Sequence, residues 1–190
     1  EELDIVDVCT PTPWHVDAAV DGLDKGCHVL CEKPMSLTLP ECDRLVAASE
    51  TAKGTLMIAH VIRFWSEYAW LKQVKDSGKY GSLRTFTGLR RMPWPMYNWD
   101  MWTHDEKRAG GIPFEGHIHD VDYLRYLMGE PIAVHAVGVR DHTGIGQIWG
   151  NFAFANGSRA MLEGSWGYPA AYPFQHGYVA VFEEATIDYR

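Results

Sequence analysis

The sequence predicts an α/β fold in two parts, and three patterns in the chain support this. Residues 1–62 alternate short apolar strand patterns with amphipathic helix patterns, the βαβ arrangement of a parallel sheet covered by helices. Residues 63–190 contain runs in which apolar and polar residues alternate, as in an open, mostly antiparallel sheet. One strongly apolar helix pattern lies between these runs, so we expect an α+β domain with that helix packed on the sheet.

The first part shows strand, helix, strand, helix and strand with short connections. The strand patterns cover residues 3–9, 28–31 and 55–61, and the helix patterns cover residues 13–25 and 39–53. Gly26 and Gly54 follow the two helix patterns, where a glycine commonly ends a helix. Thr38 and Glu41 have the spacing of a capping box, which predicts that the second helix begins at residue 39.

The second part begins with a helix pattern at residues 66–78. Strand patterns follow at residues 82–91, 132–140, 146–155, 158–166 and 178–189. Asn156-Gly157, between two of these patterns, favours a two-residue hairpin turn. Residues 92–108 contain two prolines and three tryptophans without a clear period, so we predict a long loop there.

The apolar helix pattern of the second part starts after a double glycine. Pro113 fits its first turn because proline has no N–H to leave unpaired, and Gly129 ends it. An apolar stripe follows the helix and consists of Ile118, Val121, Leu124 and Met128. At about 100° per residue, Glu115, His119 and Asp122 project from one face beside the stripe. We therefore expect a buried helix that carries an acid, an imidazole and a second acid along its edge.

The composition indicates an ordinary soluble globular protein. Of the 190 residues, 46% are hydrophobic and 22% are charged. The formal net charge of −8 argues against nucleic acid and anionic membrane surfaces as partners. No apolar run is long enough to span a bilayer. The four cysteines lack C-x-x-C spacing, so we expect reduced thiols and a cytoplasmic location.

Glu32-Lys33-Pro34 stands at the end of the second predicted strand. In open parallel sheets ligands bind at the carboxyl edge, so Lys33 is expected to point into a crevice there. An ammonium group at that position lowers the pKa of a substrate hydroxyl and stabilises the developing alkoxide. The alternative, from the residues alone, is a surface lysine that pairs with Glu32.

Three interpretations fit the acids and histidines of the apolar helix. In the first, His119 accepts a hydroxyl proton while a carboxylate one turn away, Glu115 or Asp122, orients the ring; in the second, it is an ordinary helix histidine. The third is metal ligation by His117, His119, Asp120 and Asp122, which the i and i+2 spacing of the histidines disfavours on a helix. We therefore predict no metal site. The tryptophans of the predicted loop either stack on sugar rings or cap the sheet.

Five segments have the order and spacing of one known set of motifs. They are Cys9-Thr10-Pro11 with His15, residues 26–34 (GCHVLCEKP), Arg63-Phe64, residues 78–81 (GKYG), and residues 110–129, which contain His119-Asp120-Val121-Asp122. Together they resemble the motifs T-P…H, G-k-H-V-l-x-E-K-P, R-F…s-G-x-x-G and G-G…D-x-x-x-H-x-x-D…G. These motifs belong to the glucose–fructose oxidoreductase / inositol dehydrogenase / MocA (Gfo/Idh/MocA) family of NAD(P)-dependent oxidoreductases.

The resemblance implies the C-terminal part of a Rossmann-type parallel sheet at residues 1–62, followed by a substrate-binding and oligomerisation domain at residues 63–190. It implies hydride transfer between NAD or NADP and a secondary alcohol of a sugar, inositol or related polyol. It also implies a homo-oligomer that forms through the C-terminal sheet.

The same resemblance implies roles for individual residues. The catalytic residues are expected to be Lys33, His119 as the acid/base, and Glu115, which is one methylene longer than the family's aspartate. The residues expected to bind the cofactor are Thr10, Pro11, His15, Glu32, Lys33 and Pro34. Those expected to bind the substrate are Arg63, Trp102 and Asp122.

The chain contains no glycine-rich G-x-G-x-x-G turn, and its first and last residues fall within strand patterns. We therefore expect a fragment of a longer protein, incomplete at the C-terminus, and expect residues 1–190 alone to bind NAD(H) weakly or not at all. A non-catalytic sensor of sugar or NAD(P) on the same scaffold is the alternative function, and a metal-dependent lyase or hydrolase is a third. The particular sugar, the choice between NAD and NADP, the reaction direction and the oligomeric state stay open.

Overall fold

The computed structural model describes residues 3–190. Its first part alternates strands and helices along the chain: β1 (Ile5–Val8), α1 (His15–Asp24), β2 (His28–Cys31), α2 (Leu39–Thr51) and β3 (Leu56–Ile58). The strands pair in parallel in the order β1-β2-β3, with Val8 beside Cys31. The predicted parallel sheet covered by helices is confirmed. Thr38 is the N-cap of α2, but its hydroxyl donates to the Glu41 carboxylate at 3.2 Å instead of accepting from the main chain.

The second part contains a six-stranded sheet with helices on one face. Its elements are α3 (Ser66–Ser77), β4 (Leu83–Pro93), α4 (Glu106–Ala109), α5 (Ile118–Met128), β5 (Ala133–Asp141), β6 (Gly144–Ala153), β7 (Arg159–Tyr168), β8 (Gln175–Phe182) and β9 (Thr186–Tyr189). The strand order is β5-β6-β7-β4-β8-β9, and among the described strands of this sheet β4 and β7 alone pair in parallel. The predicted open, mostly antiparallel sheet is confirmed.

Each part has its own apolar core. The first core lies between the parallel sheet and the helices α1 and α2, and contains Val8, Val16, Ala19, Leu23, Val29, Cys31 and Leu45. The second lies between α3, α5 and one face of the six-stranded sheet, and its members include Ile62, Tyr68, Leu71, Phe86, Tyr123, Leu124, Leu127, Leu162 and Tyr178. The opposite face of that sheet is open, with Val137, Val139 and Met161 exposed at 54%, 53% and 43%.

Three local predictions are wrong. Residues 92–108 are not a loop without structure, because β4 continues to Pro93 and a 3-10 helix (Trp99–His104) precedes α4. Residues 178–189 form two strands because the chain reverses after Phe182, whose N–H donates to the carbonyl of Ala185 at 2.8 Å. The hairpin at Asn156-Gly157 has more than two loop residues, since the Phe154 N–H donates to the Ser158 carbonyl at 3.1 Å.

The apolar helix departs from its predicted geometry at the start. Pro113–His117 forms a π-helical turn, and α5 begins only at Ile118. The wider π turn breaks the 100° spacing that the α-helical pattern assumed between Glu115 and His119. Gly111 leads into this turn with a φ of 72°, and a Cβ there would lie 2.7 Å from the carbonyl oxygen of Ile145. Only glycine fits both requirements.

Gly164 on β7 allows the π turn to pack closely against the sheet. His117 is 4% exposed and packs on the covered face. A Cβ on Gly164 would lie 2.7 Å from Nδ1 of His117 and 2.8 Å from its Cβ. The missing side chain at Gly164 therefore determines how closely the start of α5 approaches the sheet.

Within residues 3–190, no helix combines the length and the apolar character that a membrane span requires. The four cysteines are free thiols; Cys27 and Cys31 are buried, Cys42 is partly exposed and Cys9 is exposed.

We expect Gly164→Ala to lower the free energy of unfolding by about 1–3 kcal/mol, because the added methyl overpacks the contact with His117. Urea unfolding measures the effect. Gly167→Ala on the same strand is the matched control, since a Cβ there would meet its nearest neighbour, Nε2 of Gln147, at an ordinary 3.5 Å. Equal stability of the two variants would contradict the packing account.

Candidate active site

Two cavities meet where the carboxyl edge of the parallel sheet faces the π turn. The larger has a volume of about 800 Å³ and the smaller about 470 Å³. Four residues line both cavities: Lys33, Asn98, Trp102 and Glu115. These residues mark the junction, and two predicted catalytic residues and one predicted substrate-binding residue are among them.

Lys33 follows β2 at the carboxyl edge of the sheet. Its Nζ donates to the main-chain oxygen of Glu115 at 2.8 Å and lies 3.2 Å from Oε2 of the same residue. The two side chains are 14% and 12% exposed. The contacts with Glu115 use two of the three N–H groups of the ammonium, which leaves one for a ligand. The alternative of a surface lysine paired with Glu32 is wrong, because Glu32 Oε2 accepts from the Lys33 main-chain N–H at 3.1 Å instead.

Glu115 lies in the π turn and is held from two directions. Besides the contacts with Lys33, its Oε1 accepts a long hydrogen bond of 3.4 Å from the hydroxyl of Thr12. Thr12 is 2% exposed and belongs to the 3-10 turn before α1. Glu115 therefore connects the second part of the chain to both loops at the edge of the parallel sheet.

His119 lines the larger cavity together with Lys33 and Arg90. Burial, followed by the positive charges of Lys33 and Arg90, lowers the pKa of His119 to about 3. The ring is therefore neutral at neutral pH. Its Nδ1 is buried and has no hydrogen-bond partner among residues 3–190. Glu115 and Asp122, the carboxylates that we expected to orient the ring, do not hydrogen-bond to this atom.

Asp122 and Arg63 form an ion pair with each other and do not line either cavity. Arg63 donates from Nε to Oδ2 at 2.8 Å and from Nη2 to Oδ1 at 2.6 Å. His60 Nε2 lies 3.6 Å from Oδ1, and the Arg63 guanidinium lies 4.9 Å from the centre of the Tyr126 ring. Neither Arg63 nor Asp122 is among the residues that line the two cavities. The structure does not bring these two residues to the site, and their role in substrate binding stays a prediction.

The residues predicted to bind the cofactor gather around the smaller cavity. Five of the six line it: Thr10, Pro11, His15, Glu32 and Lys33. Pro34 is buried and is not among the residues that line this cavity. His15 is 1% exposed, with Nδ1 at 2.8 Å from the Pro34 carbonyl and Nε2 at 2.8 Å from the Thr10 carbonyl. His15 thus holds the loops after β1 and β2 together and fixes the shape of the crevice.

Arg90 and Asp120 form a buried ion pair that the sequence patterns did not single out. Arg90 donates from Nε to Oδ2 at 2.8 Å and from Nη2 to Oδ1 at 3.1 Å, and the two residues are 3% and 5% exposed. Arg90 also lines the larger cavity. The sequence feature that could have identified Arg90 is its position in β4. The alternation of that strand puts Arg90 on the covered face, where a charge needs a partner.

Much of the remaining wall of the larger cavity is aromatic. Its aromatic residues are Trp65, Trp94, Tyr97, Trp102, Trp166 and Phe174. Trp94 and Trp102 belong to residues 92–108, whose tryptophans we expected either to stack on sugar rings or to cap the sheet. Trp65, Trp166 and Phe174 come from other segments, which only the fold brings to this cavity.

The histidines and aspartates of the π turn and α5 do not gather into a metal site. Within the described part of the chain, no group of three or more His, Cys, Asp or Glu side chains has the arrangement to hold a metal ion. His117 packs on the sheet, and Asp120 and Asp122 each pair with an arginine.

Comparison with known proteins gives two family matches. A model described as "Oxidoreductase family, NAD-binding Rossmann fold" matches residues 1–60. A model described as "GFO/IDH/MocA C-terminal domain" matches residues 68–188. The two matches follow one another and correspond to the parallel sheet and to the six-stranded sheet.

Individual relatives share part of their length with this chain. D-glucoside 3-dehydrogenase of Escherichia coli (strain K12) is 30% identical over 145 residues, which are 75% of this chain and 40% of the relative. 2,7-anhydro-N-acetylneuraminate hydratase of the same organism is 27% identical over 188 residues, 94% of this chain and 49% of the relative. The chain thus spans about half the length, or less, of the curated relatives that it matches.

A solved structure shows the same fold. The crystal structure of myo-inositol 2-dehydrogenase from Lactobacillus plantarum superposes with a TM-score of 0.88 at 21% sequence identity. The superposition covers 99% of this chain and 57% of that chain. At this identity the likeness concerns the fold alone.

We expect the His119 ring to stay unprotonated as the pH falls from about 8 to about 5, because its pKa is held far below the ordinary value of about 6.5. His119 is then protonated at a lower pH in the folded state than in the unfolded chain. It therefore lowers the stability of the fold as the pH drops below about 6.5. NMR titration of the ring nitrogens measures this directly, with His119→Asn to assign the signals. A midpoint near 6.5 would show that the ring is not desolvated.

Proposed function

Because this chain belongs to the Gfo/Idh/MocA family of oxidoreductases, we propose that it transfers a hydride between a nicotinamide cofactor and a secondary alcohol of a sugar, inositol or related polyol. The observation that carries the proposal is the junction of two cavities at Lys33 and Glu115, with His119 in the wall of the larger one. Ligands in the two cavities would meet beside an ammonium group and a neutral imidazole. Hydride transfer coupled to proton transfer needs such a meeting point.

The smaller cavity fits the nicotinamide end of a dinucleotide. It lies at the carboxyl ends of β1 and β2, the edge at which open parallel sheets bind ligands. Its volume of about 470 Å³ suits a small-molecule site, and Thr10, Pro11, His15 and Glu32 would hold the ring there. The nicotinamide, when bound, supplies the hydride acceptor or donor. NAD is the proposed cofactor because the matched family model is described as NAD-binding.

Lys33 and His119 act on different atoms of the substrate hydroxyl, Lys33 on the oxygen and His119 on the proton. The remaining N–H of Lys33 donates to the hydroxyl oxygen and stabilises the negative charge that develops as its proton leaves. The neutral ring of His119 accepts that proton through a nitrogen lone pair. Glu115 positions the ammonium group, since its main-chain oxygen and Oε2 both hold Nζ.

The proposed oligomer interface and the proposed cellular location rest on the exposed sheet face and on the cysteines. The open face of the six-stranded sheet exposes Val137, Val139 and Met161, and is the proposed homo-oligomer interface. A cytoplasmic location is proposed from the free thiols of the four cysteines. A non-catalytic sensor has no support among the relatives named above.

We expect Lys33→Ala and His119→Ala each to lower kcat by about a hundredfold or more, because each removes a group that acts on the transferred proton. The measurement is the absorbance of the reduced nicotinamide in assays of the full-length protein with NAD and a panel of sugars, glycosides and inositols. Circular dichroism checks that the variants fold.

The matched controls are Lys53→Ala and His28→Ala, which change exposed residues outside both cavities. These two variants should keep the kcat of the parent. If Lys33→Ala and His119→Ala also stay within about twofold of the parent, the sensor becomes the better explanation.

A further inference from the structure

We propose that the larger cavity binds a sugar joined to a second ring, as in a glycoside or disaccharide, in preference to a single-ring polyol. This inference rests on the proposed function and names the substrate class of the same site. The reacting ring lies at Lys33 and His119, and the second ring packs on the aromatic wall that includes Trp94 and Trp166.

The first reason is the size of the larger cavity. Its volume is about 800 Å³. Sites of about 300–1,000 Å³ enclose most of the surface of a drug-sized ligand, and this one is near the upper end of that range. A single six-membered ring with its hydroxyl groups is much smaller than such a ligand and would leave a large part of the space to water. A second ring fills that space.

The second reason is the distribution of polar and aromatic groups. Lys33 and Glu115 line both cavities, whereas Trp94, Trp166 and Phe174 line only the larger one. Lys33 and Glu115 therefore lie at the junction, and these aromatic groups line the part of the larger cavity that the smaller one does not share. Flat aromatic rings offer a large apolar contact area with electron-rich faces, which attract the C–H edges of a sugar ring or of an aryl group.

The third reason is that the cations of the larger cavity are already paired. Lys33 Nζ lies 3.2 Å from Oε2 of Glu115, and Arg90 Nε lies 2.8 Å from Oδ2 of Asp120. His119 is the neighbouring titratable group, and it is neutral. An anionic second group would therefore find no unpaired cation among the described lining residues, so the second ring is uncharged.

The aromatic wall is held in place before any ligand arrives. The indole N–H of Trp166 donates to Oγ1 of Thr143 at 3.0 Å, and the indole N–H of Trp94 donates to Oδ2 of Asp141 at 3.3 Å. Oδ1 of Asp141 accepts from the main-chain N–H and the hydroxyl of Thr143 at 2.7 and 2.6 Å. The turn between β5 and β6 thus fixes two tryptophans of the cavity, and a pre-formed wall loses little entropy when it binds a ring.

Steady-state kinetics of the full-length protein with NAD tests the proposal. The two-ring substrates are phenyl β-glucoside and cellobiose, and the one-ring substrates are methyl β-glucoside and myo-inositol. We expect kcat/KM to be about tenfold higher for the two-ring substrates, the factor that one strong aromatic contact supplies. Trp94→Ala should lower the ratio of kcat/KM for phenyl over methyl β-glucoside by about tenfold. Thr143→Val should lower the same ratio, through KM more than through kcat.

Trp70→Ala is the matched control, because Trp70 is 50% exposed and lines neither cavity. It should leave the ratio and the activity unchanged. The proposal is overturned if the one-ring substrates are used as well as the two-ring substrates, or if Trp94→Ala leaves the ratio at the parent value.

A separate measurement decides the proposal if no alcohol is oxidised, an outcome that would remove the proposed function. Quenching of tryptophan fluorescence then reports the binding of phenyl β-glucoside and of myo-inositol. Tighter binding of phenyl β-glucoside, weakened about tenfold in Trp94→Ala, supports the two-ring site without turnover. Failure of phenyl β-glucoside to bind, or binding unaffected by Trp94→Ala, overturns it.

Discussion

The contact between Lys33 and Glu115 joins the two parts of the protein at the point where the two cavities meet. The residues are 82 positions apart in sequence, and Nζ is held by a main-chain oxygen at 2.8 Å and a carboxylate oxygen at 3.2 Å. Because both side chains are largely buried, either one alone would leave a charge without a partner at considerable cost. The contact therefore fixes the π turn against the edge of the parallel sheet, and the position of His119 depends on that turn.

The electrostatics of the larger cavity follow from burial. Lys33 and Arg90 each carry a positive charge with an acidic partner, and His119 lies near both without a carboxylate of its own. Desolvation and the two cations together disfavour the charged imidazole, which is why the pKa of His119 is lowered. A ring kept neutral in this way has its nitrogen lone pair available, and as a weak base it releases a proton readily. The same arrangement suits a substrate without charge.

Much of the fold and part of the site follow from the sequence. The periods of the strand and helix patterns predict both sheets, and the end of β2 places Lys33 at the ligand-binding edge. The π turn does not follow, since residues 113–117 fit an α-helical pattern equally well. The pair of Arg63 and Asp122 does not follow either, because it is a contact across 59 positions that no periodicity contains. The pair of Arg90 and Asp120 was missed as well, because strand alternation can place Arg90 on the covered face but does not identify a partner 30 positions away.

The most direct test of the central claim is a crystal structure of the full-length protein with NAD and an alcohol substrate. The account predicts that the reacting hydroxyl oxygen lies within about 3.2 Å of both Lys33 Nζ and a ring nitrogen of His119, with the nicotinamide in the smaller cavity. A hydroxyl bound by only one of these groups, or by neither, would contradict the account.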